Sequence, residues 1–200
     1  PHGMSRVLGT EKRGMDIPRV EPKLETKVKG IFMAGELGGM GLIRKAATQG
    51  TQAINTIKKH RGSSSNILDV VIVGAGPAGL ASTLGAIENK LRYVTLEQES
   101  SLGGAIFQYP RNKIAMTAPV KLPIIGQVKM GEISKEALLE FWNKVVNKTG
   151  MKIHFHERME NISKSSDSFV VKTSKQSYNT RTVLLAIRLR GKRRNLGVPV

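Results

Sequence analysis

Cysteine is absent from all 200 residues. That excludes disulfides, thiolate metal sites and a redox dithiol within this segment. Aromatic residues make up only 4% of the chain, with a single tryptophan. The stacking platforms that single-stranded nucleic acid needs are therefore missing. No apolar run approaches the length of about 18 residues that crosses a bilayer. No charged-then-apolar start reads as a secretion signal. These absences fit a cytosolic home. Acidic residues are also few: 15 against 32 Lys and Arg, for a net charge of +17. That sign favours phosphates, nucleic acid or anionic surfaces. One dinucleotide carries too little charge to account for it. The cations are spread along the chain, clustering at Lys58-Lys59-His60-Arg61 and over residues 188–194. Most of them read as solvated surface, so there is no strong case for nucleic acid or membrane as a partner.

What is present is the alternation of short apolar runs and amphipathic stretches that marks an α/β domain. Residues 1–29, charged and without clear periodicity, read as an extended arm or linker from an upstream domain. Gly30-Ile31-Phe32-Met33-Ala34-Gly35 suits a buried strand, and glycines 38, 39 and 41 suit a tight turn. A helix is expected from Leu42 to about Lys59, weakened by Gly50. Gly62-Ser63-Ser64-Ser65-Asn66 has linker composition. Residues 67–73 form a continuous β-branched run, as in a strand buried on both faces. A helix to about Asn89 and a strand over 91–97 complete a β-α-β unit. Residues 102–133 read as mostly irregular. Ser134 is an N-cap candidate for a helix whose apolar face is Leu138, Phe141, Trp142, Val145 and Val146, ended by Gly150. A strand is expected over 151–156, a three-stranded antiparallel meander over 159–181, and another buried strand over 182–187.

The strongest chemical signal is Gly74-Ala75-Gly76-Pro77-Ala78-Gly79. Gly74 permits a tight turn after the strand. Gly76 lets the backbone approach a pyrophosphate, and Gly79 lets helix and strand pack closely. The pyrophosphate would sit at the helix N-terminus, where free N–H groups and the dipole meet its charge. A glycine triplet alone is weak evidence. Here it follows a strand, opens a helix, and precedes an acid, Glu97, at the next strand end. The Glu97 carboxylate can accept both ribose hydroxyls of an adenosine.

Asp69-Val70-Val71-Ile72-Val73-Gly74-Ala75-Gly76-Pro77-Ala78-Gly79-Leu80 resembles the FAD fingerprint of thioredoxin-reductase-like flavoproteins. Gly103-Gly104 resembles that family's next flavin-side loop, and residues 182–191 its strand into the crossover to an NAD(P)H domain. Gly30 through Glu36 is similar to the family's late FAD motif, a strand ending in Gly-Asp or Gly-Glu. The resemblance implies that Gly35 and Glu36 contact the ribityl–pyrophosphate part of FAD. It implies that the following helix starts under the isoalloxazine ring, with backbone N–H groups of Arg44, Lys45 and Ala46 meeting its O2. It further places Gln98 beside Glu97, and backbone near Glu157, Arg158 and Met159 against adenine.

In thioredoxin reductases the late motif comes last; here it precedes the first Rossmann strand. That order resembles a permuted subgroup of NAD(P)-binding flavoproteins in which an iron–sulfur, ferredoxin-like segment comes first. The implied fold is a Rossmann-type parallel sheet with a small antiparallel meander in permuted strand order. Residues 30–66 would supply its last strand, helix and a linker. Residues 67–200 would form the main FAD-binding domain, truncated before an NAD(P)H domain. Arg188 departs from the small residue usual at the crossover. The implied function is that of the FAD-binding portion of an NAD(P)H-dependent oxidoreductase. Hydride would pass from NAD(P)H to FAD and on to an unknown acceptor, with a ferredoxin-like domain as candidate partner and a homodimer as candidate assembly. The rival readings are a non-catalytic FAD or nucleotide-binding module, and a basic protein for nucleic acid or anionic surfaces. No side chain is singled out as acid, base or nucleophile. His154 and His156 would share a strand face, but no third metal ligand accompanies them.

Overall fold

The computed structural model describes residues 24–35, 43–63 and 66–187. Glu36, the glycines at 38, 39 and 41, and the stretch from Arg188 onward lie outside the described residues. Three parallel strands form the centre of the sheet: β2 (Leu68–Val73), β3 (Tyr93–Leu96) and β11 (Ser177–Leu185). β11 pairs in parallel with β2, and β2 with β3; β3 in turn pairs with the two-residue β8 (Ile153–His154). The early apolar run becomes β1 (Ile31–Met33), which lies parallel to β11 in the register Ile31–Val183, Phe32–Leu184 and Met33–Leu185. Two runs some 150 residues apart thus meet as neighbours because each is apolar on both faces and neither can be left at a wet edge.

The meander β9 (Met159–Ser165), β10 (Ser168–Thr173) and β11 is antiparallel, as expected. Its third strand does not end where the next buried strand begins. β11 is one strand from Ser177 to Leu185: its first half pairs with β10, its second half with β1. The separation expected at 181–182 is therefore corrected. Alternating polar positions give way to the fully buried run Thr182–Leu185 within one extended segment.

Burial alternates along the strands and sorts the core into layers. Val71, Val73, Ile31, Met33, Val183 and Leu185 pack with Ile162, Phe169 and Val171 of the meander. Val70, Ile72, Phe32 and Leu184 face the other way, onto two helices. These are α1 (Ile43–Ile57) and α2 (Pro77–Glu88). Gly50 does not interrupt α1, because it is where the two helices cross. A Cβ there would lie 2.8 Å from Ser82 Oγ and closer still to the Ala78 carbonyl oxygen. Gly85 repeats the device, facing Ile54. Close packing outweighs the helix propensity lost at Gly50.

A further layer consists of α3 (Lys135–Thr149) and the segment before it. Ser134 caps α3, its Oγ accepting from the Ala137 N–H at 3.1 Å, and Gly150 closes it in the left-handed conformation. Leu138, Trp142 and Val145 are buried against Ile43, Ala47, Leu80 and Leu84. The segment 102–133 is more regular than expected. It contains β4 (Ile114–Thr117), β5 (Val120–Leu122) and β6 (Gly126–Val128), and runs into β7 (Gly131–Ser134). They form two separate antiparallel pairs, β4–β7 and β5–β6. Strands of three or four residues with prolines between them carry too little alternation to be read. The strand expected over 151–156 shortens to β8. His156 sits in a turn at φ +56°, so it and His154 do not share a strand face. Among the described residues no cluster of His, Asp and Glu could hold a metal ion. No described helix is long and apolar enough to cross a membrane.

Candidate functional site

The sheet brings several glycine-rich segments together around the N-terminus of α2. Gly74 takes φ +111° at the end of β2, where a Cβ would lie 2.6 Å from the Ala186 carbonyl oxygen. At Gly79 a Cβ would run into the Gly74 carbonyl oxygen. Both glycines are therefore demanded by the protein's own packing. Gly76 is different. Its φ is −83°, and a Cβ would meet nothing nearer than the Gly104 Cα at 3.8 Å. Among the described residues nothing forbids a side chain at Gly76. The space it would fill lies open beside the helix end.

Gly76 is the N-cap, Pro77 follows at the first helical position, the first turn holds no acid, and among the described residues no side chain caps it. The first-turn N–H groups and the positive end of the dipole therefore face the open space beside Gly76. The walls are backbone and small side chains. Gly103 donates its N–H to the Ala75 carbonyl at 2.7 Å. Gly104, at φ +56°, lies so close that its Cβ would be 3.1 Å from the Gly76 Cα. On the other side Gly35, at φ +74°, packs against Ala78, where a Cβ would lie 2.6 Å from that of Ala78. Gly35 is held by the buried Gln49, whose Oε1 accepts its N–H at 2.9 Å. Gln49 escaped the sequence reading, although a polar residue on the apolar face of α1 was a usable signal.

Glu97 is only 6% exposed. Its Oε1 accepts the Ala75 N–H at 3.0 Å and its Oε2 the Glu99 N–H at 2.9 Å. The carboxylate thus bridges the glycine turn and the end of β3, with each oxygen keeping a further acceptor position. Gln98 is exposed beside it. Arg44 and Lys45 are exposed in the first turn of α1, and Ala46 is buried toward Gly35 and Ala78. Met159 is buried in the sheet core with Leu96. Gly35, Gly74, Gly76, Pro77, Ala78, Gly79, Gly103, Gly104 and Glu97 are thus gathered in one place.

Two neighbouring features were not anticipated. A narrow apolar cleft opens at the first turn of α1, between Ile43, Arg44 and Ala47 on one side and Val120, Met130 and Trp142 on the other. Trp142 is 2% exposed, and its indole N–H has no partner among the described residues. The second is a polar cluster behind Glu97. Glu157, 2% exposed, accepts from the Thr173 and Tyr178 hydroxyls, both at 2.7 Å, and lies 3.4 Å from His154 Nδ1. Burial, then the hydrogen bond to Glu157, raises the Tyr178 phenol well above its ordinary range, so it remains a donor.

A family model described as pyridine nucleotide-disulphide oxidoreductase matches residues 71–188. The chain is similar to ferredoxin–NADP reductase 3 of Lysinibacillus sphaericus (strain C3-41), 31% identical over 123 residues, which is 61% of this chain and 32% of that protein. It is also similar to ferredoxin–NADP reductase of Streptococcus pneumoniae serotype 19F (strain G54), 30% identical over 125 residues, 62% of this chain and 35% of that one. The chain spans about a third of the length of these curated relatives. Among solved structures, a bacillithiol disulfide reductase from Staphylococcus aureus aligns at a TM-score of 0.52 and 20% identity, over 59% of this chain and 37% of that one. At that identity the likeness concerns the fold.

Proposed function

The chain belongs to the pyridine nucleotide-disulphide oxidoreductase family, and from that premise we propose that it is the FAD-binding portion of an NAD(P)H-dependent flavoprotein oxidoreductase. Residues 30–66 would complete the FAD domain whose main part is 67–200. The observation that carries the reading is Gly76: the one glycine of the triplet that the described residues do not themselves require, beside a helix end they leave uncapped. An FAD pyrophosphate approaching the backbone gives that glycine its reason.

The residues would divide the work along the cofactor. The first-turn N–H groups of α2 after Pro77, those of Ala78 and Gly79, would meet the pyrophosphate, with Gly103 and Gly104 closing the other side. Glu97 would accept the ribose hydroxyls of the adenosine with its remaining acceptor positions, while its bond to the Ala75 N–H keeps the turn in register. Gln98 and the backbone near Met159 would border the adenine. Gly35 and Glu36 would face the ribityl side. The first turn of α1, at Arg44, Lys45 and Ala46, would present N–H groups to the flavin end, where a helix dipole favours negative charge. Bound FAD supplies the redox chemistry, accepting hydride from NAD(P)H and releasing electrons to an acceptor. A ferredoxin-like protein or domain is the acceptor that the similar reductases favour. The nicotinamide would be held by parts of the protein outside this chain.

The test is a titration of the purified chain with FAD, followed by flavin fluorescence and by the shift in the visible absorbance bands. Saturable binding of FAD is expected. A chain that is folded by circular dichroism yet leaves FAD fluorescence unchanged would reject the proposal. Within a positive result, Glu97→Ala is expected to raise the FAD dissociation constant about tenfold, the loss of about one charge-assisted hydrogen-bonding group. FMN, which has no adenosine, should be little affected.

A further inference from the structure

We infer that Glu157 is a positioning residue for the adenosine end of the site, holding Glu97 in place through the turn after β8; this deepens the FAD reading above and rests on it. The main chain of that turn clasps the end of β3. His154 accepts the Glu97 N–H at 2.9 Å, the Glu157 N–H donates to the Glu97 carbonyl at 3.0 Å, and the His156 N–H donates to the Glu99 carbonyl at 3.1 Å. Every one of these bonds lands within two residues of the carboxylate that would read the ribose.

The Glu157 side chain points the other way, into the meander, and anchors the clasp. Its partners are prepared for it. The Thr173 hydroxyl accepts from the Lys175 and Gln176 N–H groups at 3.2 and 3.1 Å, and its own proton faces Glu157 at 2.7 Å, the Gln176 carbonyl being the longer acceptor at 3.1 Å. The Tyr178 hydroxyl accepts from Gln176 Nε2 at 2.7 Å and donates to Glu157. Thr173 ends β10 and Tyr178 stands near the start of β11, so a single carboxylate gathers two strands of the meander. A buried apolar side chain would fill the same volume without a desolvation cost. What the carboxylate adds is direction, because hydrogen bonds to a charged acceptor are strong and geometrically selective. His156 shows that the turn is held rather than relaxed, since a non-glycine residue there adopts φ +56°.

The experiment measures dissociation constants for FAD and FMN in Glu157→Leu, in the milder Tyr178→Phe, in Glu97→Ala and in the double variants with Glu97→Ala. Glu157→Leu is expected to weaken FAD about tenfold, with FMN changed less than about threefold, and Tyr178→Phe to weaken FAD about threefold. Both effects on FAD should vanish once Glu97 is already alanine. Equal losses for the two flavins, or a full loss that persists in the Glu97→Ala background, would make Glu157 a structural anchor only and overturn the inference. Tyr178→Phe carries the test if Glu157→Leu does not fold. If Glu97→Ala leaves the ratio of FAD to FMN affinity unchanged, the adenosine assignment falls and takes the inference with it. If Glu97→Ala shifts that ratio and neither Glu157→Leu nor Tyr178→Phe does, the inference alone falls.

Discussion

The glycine turn and the hairpin segment at 114–134 are built on different principles. Around the turn, strands pair on both sides, and Val70, Val71, Ile72, Val183 and Leu184 are fully buried. Gly74, Gly79 and Gly50 are each fixed by a backbone that approaches too closely for a side chain. In the hairpin segment each ladder has two strands only. Ile114 and Ile124 are 56% and 50% exposed, and Ile124 holds the left-handed conformation at φ +66°. The first region has almost no freedom to change. The second is pinned where Leu122 meets Ile43 and Ala47 of α1 and Leu138 and Trp142 of α3. The difference teaches that this fold keeps its rigidity where backbone meets backbone, beside the proposed pyrophosphate path. The outer layer is held by a few large side chains.

That contrast can be broken at graded strength. Gly79→Ala puts a methyl group into the Gly74 carbonyl, and a loss of roughly 4 kcal/mol or more is expected in urea unfolding. A stable Gly79→Ala variant would mean that the turn is looser than described. Trp142→Ala removes the main anchor of the outer layer and should cost about 3 kcal/mol, measured the same way. Ser134→Ala deletes the cap of α3 and should cost about 1 kcal/mol. The smallest effect has the opposite sign. Ile124→Gly relieves a β-branched residue of its left-handed backbone and should raise stability by about 0.5 kcal/mol, the strain relieved less the entropy of glycine. A loss at Ile124 would show that the exposed hairpin tip packs on something.

The same contrast explains what was legible in the sequence. β1, β2 and the second half of β11 announce themselves as short apolar runs, because a strand covered on both faces has no polar positions. Their pairing follows from the need to hide three such runs in one sheet. Ser134 and Gly150 mark α3 through chemistry that only helix ends require. The meander shows its turns at Ser165-Ser166-Asp167-Ser168 and Ser174-Lys175-Gln176-Ser177. By contrast, β4 through β7 are too short for alternation to register. The continuity of β11 was hidden because one strand changes both its partner and its environment midway. The glycine turn and Glu97 were visible as a motif. The bond from Ala75 to Glu97 was not, nor was the division of labour among the three glycines, because spacing records position and not which atoms stand opposite. Glu157 was marked only through the backbone that the resemblance places against adenine. Its role depends on Thr173 and Tyr178, which sequence separation conceals.

The account turns on Gly76, and one measurement addresses it: FAD binding by Gly76→Val beside the wild-type chain, with the thermal unfolding of both recorded. Among the described residues the nearest atom to a Cβ at this position is 3.8 Å away, and a valine there occupies the path assigned to the pyrophosphate. The account predicts an unfolding temperature close to that of the wild type and a loss of FAD affinity of at least about a hundredfold. Full FAD affinity in a folded Gly76→Val variant would contradict it, and the cofactor would have to lie elsewhere.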